Sequence, residues 1–97
     1  MMTSKQRAYL KGLAMTIEPV FNIGKAGVTP EVIEAIREAI DKRELIKVGV
    51  LKNCMDDPKE MANIIAERSQ SQVVQVIGKK IILYKESKEH PKIVLPR

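Results

Sequence analysis

The sequence predicts an α/β (α+β two-layer) domain of order α-β-α-β-α-β-β, with helices packed on a mixed four-stranded sheet. Three observations predict it. Apolar residues recur at helical spacing in three stretches, each preceded by a Thr or Asp that can cap a helix. Four short runs rich in β-formers separate or follow those stretches. Finally, 97 residues with 44% hydrophobic and 30% charged composition suffice for one globular domain with a single core.

Thr3 and Gln6 form a capping-box pair at the first helix start. Leu10, Leu13, Ala14 and Ile17 then mark one apolar stripe, which Pro19 ends by disfavouring helix at Glu18. Val20 to Ile23 is a short strand, and Gly24-Lys25-Ala26-Gly27 is a turn. Thr29-Pro30 opens the second helix, whose buried side is Val32, Ile33, Ile36, Ala39 and Ile40. Glu44 to Leu51 reads as a strand with Ile46, Val48 and Val50 on one face. Asp57-Pro58 with Glu60 starts the third helix, with Met61, Ile64 and Ile65 on its apolar side. Gln72 to Ile77 and Lys80 to Tyr84 flank Gly78-Lys79 as a hairpin. The strand–helix–strand units favour right-handed parallel crossovers and the hairpin must be antiparallel, so the sheet is mixed. Residues 1–87 make the domain and 88–97 a tail, in which Ile93-Val94-Leu95 could pack or add an edge strand.

A net charge of +5 makes a polyanion, chiefly nucleic acid, the expected partner class. The charge is uneven. Residues 1–27 hold four basic residues and one acidic, and residues 28–58 hold five basic and seven acidic. Residues 59–84 and 85–97 each hold four basic and two acidic. The first quarter and last third are therefore the expected polyanion surface.

Catalysis finds little support. His90 is the only histidine and Cys54 the only cysteine, and they lie in the tail and in a loop. Asp56-Asp57 fits helix capping better than a carboxylate pair. No spacing suits a metal, and no full-length nucleotide fingerprint is present, so no enzyme, cofactor or small-molecule substrate is expected. No apolar run approaches the roughly 18–20 residues that span a membrane, and the start of the chain lacks a signal-peptide pattern. The expectation is a cytoplasmic monomer.

Gly24-Lys25-Ala26-Gly27, between a strand and a helix, is the sharpest motif. Its glycines let a ligand's backbone approach closely, the helix start behind it offers amide donors, and Lys25 adds a mobile charge. KH domains clamp nucleic-acid backbone with such a GxxG loop, and a plain tight turn is the alternative. Gly27→Asp is expected to weaken such binding without unfolding the chain. The first helix carries Lys5, Arg7 and Lys11 with no carboxylate before Glu18, although Lys5 projects about 120° from Lys11. Lys79 and Lys80 in the hairpin turn are further candidates. Of the few aromatic residues, Tyr84 at the end of the last strand is the candidate for base stacking.

Lys5-Gln6-Arg7-Ala8-Tyr9-Leu10-Lys11-Gly12-Leu13-Ala14 and Pro19 through Thr29, with the Gly24–Gly27 loop inside, resemble the CRM domain (chloroplast RNA splicing and ribosome maturation). Glu44-Leu45-Ile46-Lys47-Val48, Val74 through Gly78, and Leu83-Tyr84 continue the match in order, over residues 4 to about 87. The single-domain form resembles the bacterial YhbY-like proteins. The resemblance implies a fold similar to the C-terminal domain of translation initiation factor 3, with strand order 1-2-4-3. It also implies RNA binding in precursors of the large ribosomal subunit, through the Gly24–Gly27 loop and the basic helix of Lys5, Arg7 and Lys11. The competing expectation is a protein-docking module that reaches the ribosome through a protein partner, using the exposed sheet face or Ile93-Val94-Leu95.

Overall fold

In the computed structural model of the chain, which describes residues 2–97, Thr3 opens the first helix as its spacing predicts; Met1, the first residue of the predicted domain, lies outside the described residues. The Thr3 hydroxyl accepts from the Gln6 amide at 3.1 Å, and Gln6 Oε1 accepts from the Thr3 amide at 3.0 Å. This helix, α1 (Ser4–Ala14), stops short of the predicted stripe. The Met15 and Ile17 amides reach back only three residues, to Gly12 and Ala14, which tightens the chain into turns. Leu10 and Ala14 are therefore buried, while Leu13 stays at the margin.

Thr29 and Asp57 cap α2 (Pro30–Arg43) and α3 (Pro58–Ser69) through the amides of Val32 and Lys59. The strands are β1 (Pro19–Ile23), β2 (Leu45–Val50), β3 (Gln72–Ile77) and β4 (Lys80–Tyr84). They form one sheet in the order β1-β2-β4-β3, with β1 and β2 parallel and the other pairs antiparallel. The architecture is thus the expected mixed four-stranded sheet with three helices.

Strand alternation divides the expected single core in two. On one face Ile23, Ile46, Val48, Val50, Ile81 and Leu83 meet Ile33, Ile36 and Ile40 of α2 and Met61, Ala62 and Ile65 of α3. On the other, Leu45, Val74, Ile82 and Tyr84 meet Leu10 and Ala14 of α1. Each fully buried Ile or Leu contributes about 1.5–3 kcal/mol of transfer free energy, so the larger cluster with α2 and α3 dominates stability.

The last ten residues do not behave as a free tail. Glu44, expected at the start of β2, instead ends α2 with a positive φ of 65° and is buried. Its carboxylate accepts the amides of Ser87 (2.8 Å), Lys92 (2.6 Å) and Ile93 (2.9 Å). Burial alone would raise the Glu44 pKa, but these three donors and the Lys92 charge outweigh it and bring the pKa below its ordinary value. So held, the tail lays Ile93 and Leu95 against the α1-side core, leaving Val94 exposed and adding no strand. Ile93-Val94-Leu95 is therefore not an open docking segment, which leaves the exposed sheet face as the surface of the protein-docking expectation.

Tyr84 corrects another expectation. Its ring is packed in the α1-side core at 3% exposure, so it offers no face for a base to stack on. Its hydroxyl is buried with no hydrogen-bond partner. Burial first, then the charges of Glu44 and Glu86, raise its pKa.

Candidate nucleic-acid interface

Because β1 and β2 run parallel and β4 returns beside β2, three connections gather at one end of the sheet. They are the loop of residues 24–29, the loop of residues 51–57 and the turn at Gly78-Lys79. Backbone bonds tie them together. The Leu51 amide donates to the Ile23 carbonyl at 2.9 Å, and the Val50 amide donates to the Lys79 carbonyl at 2.7 Å.

Within the first loop the Gly27 amide donates to the Gly24 carbonyl at 3.0 Å, which closes a tight turn with Lys25 and Ala26 at its exposed corner. Gly27 holds φ +71°, and a Cβ there would lie 2.6 Å from Asp56 Oδ2. Any side chain at Gly27 is thus strained twice, by backbone and by contact. An aspartate there would also face Asp56, so Gly27→Asp perturbs the fold as well as the surface, contrary to the sequence expectation.

The amides of Lys25 and Ala26 have no acceptor among the described residues. The start of α2 offers less than its sequence implied. Pro30 has no amide hydrogen, Thr29 already takes the Val32 amide, and Glu31 puts a carboxylate in the first turn. The exposed donors of the turn corner, away from the Glu31 carboxylate, are therefore the better placed for an anion.

Lys25, Lys79 and Lys80, proposed from sequence, share this end and are exposed. Lys52 joins them from the second loop, a residue missed because it sits in the net-acidic stretch of the chain. Among the described residues none of the four forms an ion pair; the pair present is Lys85–Asp41 at 3.0 Å. Asp56, against Gly27, is the carboxylate that approaches the turn.

The basic residues of α1 divide. Arg7 is half-buried, and its Nη1 donates to the carbonyls of Val73 (2.6 Å) and Val74 (2.8 Å), where the β3–β4 register shifts. Its guanidinium holds an irregular edge strand to α1. Lys5 Nζ donates to the Arg97 carbonyl at 3.3 Å, on the tail. Lys11 remains exposed, one helical turn from Arg7. Helix periodicity and charge alone could not separate these three roles, because the partners of Arg7 and Lys5 are backbone carbonyls distant in sequence.

Comparison with known proteins follows the same lines. A family model described as the CRS1 / YhbY (CRM) domain matches residues 2–85. The chain is 48% identical to "Probable RNA-binding protein YqeI" of Bacillus subtilis, over 99% of this chain and 100% of that protein. It is 38% identical to a protein of Haemophilus influenzae named "RNA-binding protein", over 99% of this chain and 96% of the other. The solution structure of the protein SAV1595 from Staphylococcus aureus matches with a TM-score of 0.84 and 49% identity. That match covers 99% of this chain and 100% of the other.

Proposed function

Since this chain belongs to the CRS1/YhbY (CRM) domain family, whose members in the comparison are named for RNA binding and not for a reaction, we propose that it is a non-enzymatic RNA-binding protein acting in the cytoplasm on ribosomal RNA during assembly of the large subunit. The observation that carries the RNA contact is the loop end of the sheet. Two exposed amides without a protein acceptor among the described residues, of Lys25 and Ala26, stand at the corner of a turn, and Lys25 and three further exposed lysines without an ion pair among those residues, Lys52, Lys79 and Lys80, lie at the same end of the sheet.

A phosphate oxygen at that corner accepts from the Lys25 and Ala26 amides, with the Lys25 ammonium closing over it. Gly24 and Gly27 add no side chain of their own beside the corner, so the approach is close, and the Asp56 carboxylate bounds it on the Gly27 side. Lys52, Lys79 and Lys80 then neutralise neighbouring phosphates as the strand passes the other two connections. Phosphate contacts of this kind position RNA without reading its sequence.

The test is binding of the purified protein to protein-free large-subunit RNA, with Lys25→Glu beside Arg37→Glu. Arg37 is equally exposed but lies on α2 among Glu34, Glu38 and Asp41. Lys25→Glu is expected to weaken binding about tenfold or more, since a reversed charge repels the phosphate it formerly held. Arg37→Glu is expected to leave affinity within about twofold. Equal effects of the two substitutions would contradict the placement at the loop.

A further inference from the structure

Beside the loop, the face of the sheet that α1 partly covers ends in an open row. The register places Asn22 of β1, Gly49 of β2, Lys80 of β4 and Ile77 of β3 side by side across all four strands. Their side-chain parity is that of Leu45 and Ile82, so they share the α1 face, yet none belongs to the α1-side core. Asn22, Lys80 and Ile77 are exposed.

Two residues in this row run against strand preference at adjacent positions. Asparagine is depleted in strands, and glycine inside a central strand sacrifices both packing and backbone order. The geometry explains the pairing. A Cβ on Gly49 would run into the Asn22 side chain and lie 3.4 Å from Lys80 Nζ. Gly49 therefore exists to let the Asn22 amide lie across β2 toward the Lys80 ammonium. Breaks in local preference that support one another in this way mark functional sites more than structural ones. The four strands also contain no Asp or Glu, so nothing on the row repels a polyanion.

We propose that this row is a base-reading site, in which Asn22 recognises an unpaired RNA base whose backbone continues from the Gly24–Gly27 turn; the proposal rests on the RNA reading above. An amide presents one donor beside one acceptor. That pattern mates in plane with any base edge that sets a donor beside an acceptor, as the exocyclic amine and ring nitrogen do in adenine and cytosine and as N3–H and O4 do in uracil. Ile77 supplies an apolar surface at the far end of the row, and Lys80 neutralises the phosphate of the same nucleotide. The turn thus positions the strand and the row selects it.

The experiment measures binding of single-stranded octamers of A, C and N3-methyluridine, whose blocked N3 leaves no donor for the amide oxygen, by fluorescence anisotropy, for wild type, Asn22→Ala, Gly49→Ala and Lys25→Glu. Wild type is expected to prefer A and C octamers over N3-methyluridine by about fivefold or more. Asn22→Ala, at an exposed position, and Gly49→Ala, which removes no functional group but displaces the amide, are both expected to bring the three affinities within about twofold. Their salt dependence should match wild type. Circular dichroism checks that both variants fold, and Asn22→Ala alone suffices if Gly49→Ala does not. A preference retained by Asn22→Ala, a uniform loss across all three octamers, or no preference in wild type would overturn base reading. If wild type lacks a preference while Lys25→Glu abolishes binding, base reading fails and the phosphate site stands. Failure of wild type to bind any octamer or large-subunit RNA would overturn the RNA reading itself.

Discussion

Replacing Glu44 by Gln isolates the contact that fastens the tail. In the wild type Oε2 accepts one amide, from Ser87, and Oε1 accepts two, from Lys92 and Ile93. A Gln side chain has one acceptor oxygen. If that oxygen keeps the Lys92 and Ile93 amides, its NH2 group faces the Ser87 amide, donor against donor. The loss of one charge-assisted bond, about 1.5–3 kcal/mol, adds to the weakening of two others to neutral strength. Relief of burying a charge offsets part of this, leaving a net destabilisation of about 2–3 kcal/mol. For a chain of this size that corresponds to a fall in Tm of about 10–20 °C. Urea unfolding followed by circular dichroism measures it directly. In a chain truncated after Ser87 two of the three donors are absent, so the same substitution should cost only about 1 kcal/mol. An effect below about 0.5 kcal/mol in the full chain, or an equal effect in both backgrounds, would refute the reasoning.

Other consequences follow from the same structure. The folded-state pKa of Glu44 lies below its ordinary 4.5, so the unfolded chain takes up the proton first. The stability this carboxylate contributes is fully present above pH 4.5 and is lost as pH falls through the lowered value. The gap in urea midpoint between wild type and Glu44→Gln should therefore narrow in acid. Tyr84→Phe removes a buried hydroxyl that has no partner, and is expected to raise stability by about 1 kcal/mol with RNA affinity unchanged. Gln70 ends α3 in the left-handed region at φ 58°. Gln70→Gly should relieve about 1–2 kcal/mol of strain against greater unfolded-state freedom, a net gain of about 0.5–1 kcal/mol in thermal unfolding.

The helices and strands were legible in the sequence because their signals are local. Thr3, Thr29 and Asp57 each announce a helix start, and all three cap as their spacing requires. Ile46, Val48 and Val50 alternate as a strand with one buried face should. The Gly24–Gly27 turn was legible for the same reason. What escaped depended on partners far along the chain. Glu44 looked like an ordinary strand residue because its partners lie 43 to 49 residues away. Arg7 looked like a solvated cation because its acceptors are main-chain oxygens 66 and 67 residues away. Tyr84 looked exposed because the alternation that buries it depends on which face α1 covers. Lys52 was hidden by averaging charge along the sequence, although the sheet carries it to the same end as Lys25. Asn22 and Gly49 did leave a trace, as two poor strand formers in otherwise strong strands. Only the register shows that they are neighbours.

The central claim is that phosphate recognition occurs at the loop end, where Lys25, Lys52, Lys79 and Lys80 stand. The most direct measurement is the salt dependence of binding to protein-free large-subunit RNA, made on wild type and on Lys25→Glu. Four lysines engaging four phosphates of a single strand give a slope of log affinity against log salt of about −3, and Lys25→Glu should reduce its magnitude by about 0.7 or more. A flat salt dependence, or a slope that Lys25→Glu leaves unchanged, would contradict it.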